Sequence, residues 1–361
     1  MDHRTLARRR ARWLFAATLA AALSACGGGS GGGGTRHVYV VDFGDPSLWQ
    51  YGIGSDGALT ALAPASVQSG GSGVGIVGDP VAPYLYVLDY VGDAVLQYAV
   101  GSDGTLTALN PLYVTAAANP DAMAVDPRGR HVYVASYSAD SITQYVIGSD
   151  GQLHATSTPP VATGSNPRAM LIDPAGQHAY VADAGSDSVS QYTIGSGGVL
   201  RPMAPSSVPA GASPQGMAID AASGALYVTD HAGQQISQYA IGSNGALSPM
   251  SPATVPAGRQ PQGIAVDPDG AHVYVADTGS SMVSQYRIDS HGALVAMSPP
   301  SVQAALLPHG VAIDGTGRHV YVTDGGSNAV SQYGIGAGGA LTPLTPATVP
   351  AGIGAAGLLV R

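Results

Sequence analysis

Seven residues spaced 47 apart hold the best opportunity for chemistry in this sequence: Val74, Asp121, Arg168, Gln215, Gln262, His309 and Ala356. The residues around them repeat; these do not. Five are polar, and no charge type occurs twice. A carboxylate, a guanidinium, an imidazole and two amides held together would offer both donors and acceptors to a small molecule. A second variable series keeps the same interval: Phe43, Tyr90, Tyr137, Ala184, His231, Thr278 and Gly325. Aromatic faces beside polar groups suit a small polar or sugar-like ligand. Asp121, Gln215, Gln262, Tyr90, Tyr137 and His231 are therefore candidate binding residues. The competing reading is a water-filled opening in which Asp121 and Arg168 simply pair with each other.

Other matches fail on context. Gly52–Gly57 and Gly334–Gly339 fit G-x-G-x-x-G, but they fall in a β-hairpin and not between a strand and a helix. Asp267-Pro268-Asp269-Gly270 starts like a calcium loop and lacks the later acids, so it reads as a turn. Gly28–Gly32 spells G-x-S-x-G without a flanking strand or helix. No Walker lysine, HExxH or cysteine cluster occurs, so neither a metal nor a cofactor is expected. A recurrent Asp (Asp42, Asp89, Asp183, Asp230, Asp277, Asp324) and a recurrent His (His37, His131, His178, His272, His319) tempt a catalytic reading. A residue that nearly every unit carries serves what every unit needs, most simply hydrogen bonds to turn backbone.

The elements that must position these groups are themselves periodic. HVYVAD at 272–277 recurs as HVYVVD, YLYVLD, HVYVAS, HAYVAD, ALYVTD and HVYVTD, its tyrosines (Tyr39 to Tyr321) separated by 47 residues at every step. A Gln-Tyr pair keeps the same step from 50–51 to 332–333. This period signals a solenoid or a propeller, and β-branched residues, Tyr and Gly argue against helices. One unit reads as four strands: 215–220, 225–230, 236–242 and 246–250, with turns between them. The first is apolar on both faces, and its middle residue is small in most units (Ala124, Ala218, Ala265, Ala312), as strands converging on an axis require. The expected fold is all-β, a seven-bladed β-propeller over residues 35–361, with four-stranded blades of 47 residues. The chain enters at a second strand, so 357–360 should supply the missing first strand and close the ring. The first variable series then falls just before each inner strand, at the mouth of the central channel. The second falls in loops on the same face.

Composition narrows the setting. The chain contains no Glu and no Lys; its 23 acids are Asp and its 14 bases are Arg. Residues 1–25 have a basic start, the apolar run WLFAATLAAALSA, and small residues before Cys26, the single cysteine. They resemble a bacterial lipoprotein signal, with Cys26 as the lipidated residue and GGGSGGGG (27–34) as a flexible tether. An ordinary secretory signal is the alternative, and Arg-rich starts also fit twin-arginine export. Removing 1–25 leaves 22 Asp against 9 Arg, a charge of about −13, which repels phosphate backbones and argues against nucleic acid. The expectation is an exported monomer, lipid-anchored to the cell envelope, probing a small ligand or an envelope protein. Gly27 after the cysteine suggests the outer membrane.

Blades such as PHGVAIDGTGRHVYVTDGGSNAVSQYGIGAGGALTPL (308–344) resemble the seven-bladed lactonase family, which includes 6-phosphogluconolactonase and a muconate cyclase, and also YVTN-type surface propellers. The resemblance rests on blade-building motifs and is specific for fold more than for activity. It implies a site of His, Arg and Glu; His309 and Arg168 match by position, and no glutamate exists to complete it. A phosphorylated lactone would call for several converging bases, and the mouth has one. The resemblance thus allows an unphosphorylated lactone, with His309 as general base and Arg168 polarising the carbonyl. A binding or interaction module is the reading favoured by the near-identity of the blades.

Overall fold

The computed structural model describes residues 36–361. The leader, Cys26 and the tether lie outside the described residues. Among those residues there is no helix: seven antiparallel four-stranded sheets follow one another in chain order. Blade four shows the plan, with an inner strand Pro167–Ile172, a second His178–Asp183, a third Ser188–Ile194 and an outer Leu200–Pro209. Inner and second strands are buried on both faces, and outer strands are exposed along most of their length. The apolar core is thus a series of layers between blades, formed by Val, Ile, Leu, Ala and the motif tyrosines.

The outer strands are longer than the sequence suggests. In blade five the strand runs Leu247–Pro256, past the expected end at 250 and through Pro249 and Pro252. An outer edge tolerates proline because its missing N–H would face water, and it also deters pairing with other chains. Blade three is the exception, its edge interrupted between Leu153–Ala155 and Val161–Ala162. In the other six blades a proline carbonyl (Pro64, Pro111, Pro205, Pro252, Pro299, Pro346) accepts from the third-strand Gln side chain. Thr158 stands there in blade three, and the Gln144 amide nitrogen has no partner.

The repeated residues clasp neighbouring blades. At each of the seven junctions the motif Tyr hydroxyl donates to a hairpin glycine carbonyl of the next blade, as Tyr227 does to Gly292 at 2.6 Å. The Gln carbonyl accepts a leucine N–H of that blade, as Gln238 does from Leu294 at 2.7 Å. The adjoining Tyr donates back to the preceding blade's outer strand. His131, His178, His272 and His319 bond through Nδ1 to Asp126, Asp173, Asp267 and Asp314 at 2.8–2.9 Å. Their rings cover a glycine of the next hairpin. At Gly57 (φ +84) a Cβ would lie 2.1 Å from the His319 ring, so no other residue fits. The blade aspartates accept from third-strand hydroxyls, as Asp183, Asp230, Asp277 and Asp324 do from Ser190, Ser237, Ser284 and Ser331 at 2.6–2.7 Å. Asp89 instead accepts the N–H groups of Gly71 and Gly92. These residues build the wheel.

The ring closes as expected. Ala355–Val360 pairs with His37–Asp42, with Val38 opposite Val360 and Val40 opposite Leu358. Arg361 then donates to the carbonyls of Tyr84 and Ala82 in blade two. Arg36 reaches Asp314 in blade seven at 2.8 Å.

Candidate active site at the channel mouth

The sequence places the variable ring just before each inner strand; the structure places it inside, at a β-bulge. In blade four Pro167 pairs with Asp183 and Ala169 with Ala182, leaving Arg168 as an extra residue. Blade three does the same around Asp121, between Pro120 and Ala122. The pattern continues at Val74, Gln215, Gln262 and His309, and the closing strand shifts register across Ala356. A bulge breaks two-residue alternation and re-aims a side chain, which strict period-two reading cannot reveal. The second series lies on the same face, because Tyr90, Tyr137, His231 and Thr278 donate backbone N–H groups to the turns that precede the bulges.

Blades three and four join here through charge. An Arg168 guanidinium nitrogen lies 2.7 Å from Asp121, with the side chains 2% and 0% exposed. The guanidinium also lies over the Tyr137 ring, 4.1 Å from its centroid. Burial raises the Asp121 carboxyl above the usual carboxylate range, and Arg168 opposes that shift. Tyr137 meets Tyr90, and Tyr90 meets Phe43, each pair tilted with centroids 6.4 Å apart. This aromatic arc is fixed from behind. Asn119 and Asn166, at φ 53 and 54, donate side-chain amides to the carbonyls of Tyr90 and Tyr137. Their own N–H groups donate to Asp93 and Asp140 at 2.8 and 2.7 Å. The sequence reading missed all four supports. Their signal was an Asn-Pro pair before the bulge in blades three and four, each of which follows a blade that carries tyrosine in its loop.

His231 sits near this cluster, and burial followed by the charge of Arg168 lowers its pKa, leaving a neutral imidazole. His309 is half-buried, three blades further round the ring from Arg168, and its ring rests against Gly325. A Cβ on Gly325 would come within 3.2 Å of that imidazole. Gln215 turns to Ser213 of its own blade (3.2 Å). The buried Gln262 Oε1 and Asp121 Oδ1 have no hydrogen-bond partner. Asp121, Arg168, Tyr137 and Tyr90 therefore form one assembly, with His231 in electrostatic range. Among the described residues no group of His, Cys, Asp or Glu could hold a metal. Arg168, the cation of the bulge ring, is paired with the carboxylate of Asp121.

The sequence matches the model of the family described as "Lactonase, 7-bladed beta-propeller" over residues 33–204 and 200–356. The chain belongs to the seven-bladed lactonase family. Its propeller superposes on a candidate 6-phosphogluconolactonase from Bacteroides fragilis with a TM-score of 0.79 at 17% identity, covering 92% of this chain and 99% of that one. It is similar to the periplasmic gluconolactonase of Pseudomonas aeruginosa, with a TM-score of 0.76, 20% identity, and coverage of 90% and 99%. A second candidate 6-phosphogluconolactonase, from Bacteroides uniformis, gives a TM-score of 0.80 at 16% identity over 91% of this chain and 100% of that one. No curated protein matches. At these identities the solved lactonase-family structures establish the shared fold. In this lactonase-family chain, which has no glutamate, Asp121 is the carboxylate beside the mouth arginine.

Proposed function

We propose that this lactonase-family protein opens a small uncharged lactone at the channel mouth. The observation that carries the reading is the clamp on Arg168, held by Asp121 at 2.7 Å and by the Tyr137 face at 4.1 Å. A guanidinium fixed before substrate arrives polarises a carbonyl without reorganising during the reaction. His309 accepts a proton from water as the water oxygen bonds to the lactone carbonyl carbon. The ring C–O bond then breaks, and the leaving oxygen takes that proton from the imidazolium to give a hydroxy acid. The test is a pH-stat assay of purified protein on glucono-δ-lactone and δ-valerolactone against their spontaneous hydrolysis. His309→Ala should lower kcat about 10²- to 10⁴-fold. A parent protein no faster than buffer sinks the reading.

The deep burial of Arg168 favours a second reading, a binding module whose mouth recognises a ligand without turning it over. Calorimetry with the same lactones separates the two, because binding without acid release supports the module. For location, we infer export and anchoring through Cys26 to the bacterial cell envelope, motivated by the LSAC-Gly stretch and consistent with the periplasmic relative. Cys26→Ser should release the protein from the membrane fraction, and unchanged detergent partitioning would refute lipidation.

A further inference from the structure

One side of the mouth is apolar in a way that the sevenfold plan does not require. In the two turn residues before the bulge, blades seven and one carry Leu306, Leu307 and Ile353. The corresponding residues elsewhere include Ser165, Asn166, Ser213, Arg259 and Gln260. Leu306, Leu307 and Ile353 are 61%, 39% and 47% exposed. Leu307 has φ 54, while five other blades make the same positive-φ turn with Asn119, Asn166, Ser213, Gln260 and Gly354. A leucine in the left-handed region carries a steric cost that Gly or Asn largely avoids. Nothing in the turn itself calls for a leucine, since the other blades form it without one.

These side chains border the site. Leu306 and Leu307 lie against Gly326, next to Gly325, on which the His309 ring rests. Ile353 lies against Gly44, beside Phe43, and Phe43 meets Tyr90 at 6.4 Å. This apolar wall thus has one part in blade seven, near His309, and another in blade one, beside Phe43, where the aromatic arc to blades two and three begins. The facing blades five and six present His231, Thr278, Arg259 and Gln260. An arrangement with polar groups on one side and aliphatic groups on the other matches a ligand with a polar head and an apolar tail.

We propose that the substrate is a lactone bearing an alkyl or acyl chain, its ring at Arg168 and His309 and its chain on Leu306, Leu307, Ile353 and Phe43. This rests on the lactone reading above and adds the class of substituent. Each methylene laid on the wall should raise kcat/KM by up to about fourfold, the value of one buried CH2. The experiment is a γ-lactone series from butyrolactone to dodecalactone, with chain-length dependence measured in turnover and, on His309→Ala, in calorimetric affinity. Leu307→Asn places at this turn the residue that blades three and four already use, so the backbone is kept; it should flatten the dependence, as should Ile353→Ser. A parent that opens butyrolactone and dodecalactone equally well overturns the proposal and leaves the lactonase reading standing. If no lactone is opened but affinity still climbs with chain length and falls in Leu307→Asn, the hydrolase reading fails and the apolar wall is upheld. If Leu307→Asn instead abolishes self-association in sedimentation and spares the chain series, the wall is a protein interface and the proposal falls.

Discussion

A carboxylate and a guanidinium taken out of water together are tolerated as a pair, and either one alone is a buried, uncompensated charge. Asp121 and Arg168 are in that position. Asp121→Asn should therefore destabilise the protein by about 3–5 kcal/mol in denaturant melts. The double change Asp121→Asn with Arg168→Met should recover most of the loss, and a double variant no better than the single one would contradict the pairing argument. The second residue-scale prediction concerns the seat of His309. Gly325 has no positive φ, so its backbone permits alanine, and the added carbon would lie 3.2 Å from both the His309 imidazole and the Ala355 carbonyl oxygen. Gly325→Ala should lower lactone turnover at least tenfold while shifting the melting temperature little. Equal losses of both would point to general disruption. The ion pair is the competing reading of the sequence, and the structure bears it out; the seat of His309 could not be assigned from residue types. The 47-residue spacing marked Arg168 and Asp121 as neighbours in the ring, and only their burial decided that they engage each other.

The repeated tyrosines and glutamines act between elements, joining sheets that share no strand. A buried hydroxyl-to-carbonyl bond of this kind contributes about 0.5–1.5 kcal/mol net. Tyr227→Phe should thus cost about 1 kcal/mol in urea unfolding, because it removes the bond to Gly292 and little packing. Tyr39→Phe and Tyr227→Phe act at separate junctions and share no partner, so their effects should add. A strongly non-additive result would mean that strain passes round the ring. Strand count, strand order and blade period were legible at this scale because alternating burial and turn residues are local. The bulges were not, since an extra residue is defined only against the strand it faces. For the same reason the outer strands ran past their prolines: only the assembled blade shows that those positions form an edge.

Acidity should act on the whole molecule. Burial, outweighing hydrogen bonds from serine and backbone, raises Asp183 and Asp230 to about 6 and Asp277 and Asp324 to about 7. Burial followed by the nearby Asp45 raises Asp42 to about 8. The unfolded chain releases these protons near pH 4. The folded state binds more protons between about pH 4 and pH 8, so stability falls as pH rises through that window. Asp126 and Asp314 run the other way: burial works to raise them, but bonds from His131 and His319 and from backbone hold them low. Their contribution disappears only below the ordinary carboxylate range. The melting temperature should accordingly be higher at pH 5 than at pH 8 by at least a few degrees; the reverse order would contradict the burial argument. Closure is the other property of the whole. Deleting residues 355–361 removes the inner strand of blade one and the Arg361 bonds to blade two. That should cost several kcal/mol, and a truncated chain melting within a degree or two of the parent would mean the ring is held by other contacts.

By itself the sequence determined the wheel. Seven near-identical units, each with four short runs and a missing first strand made good at the far end, admit few other arrangements. Those signals are local and repeat, so each unit corroborates the next. Tertiary structure alone decided what the irregular residues do: that a bulge turns Asp121 and Arg168 toward each other, that Tyr137 roofs the pair, that Gly325 makes room for His309, and that two leucines and an isoleucine line one lip of the mouth. These residues come from different blades and meet only after the ring has closed. Their contacts depend on sheet register and burial, quantities that no single unit carries.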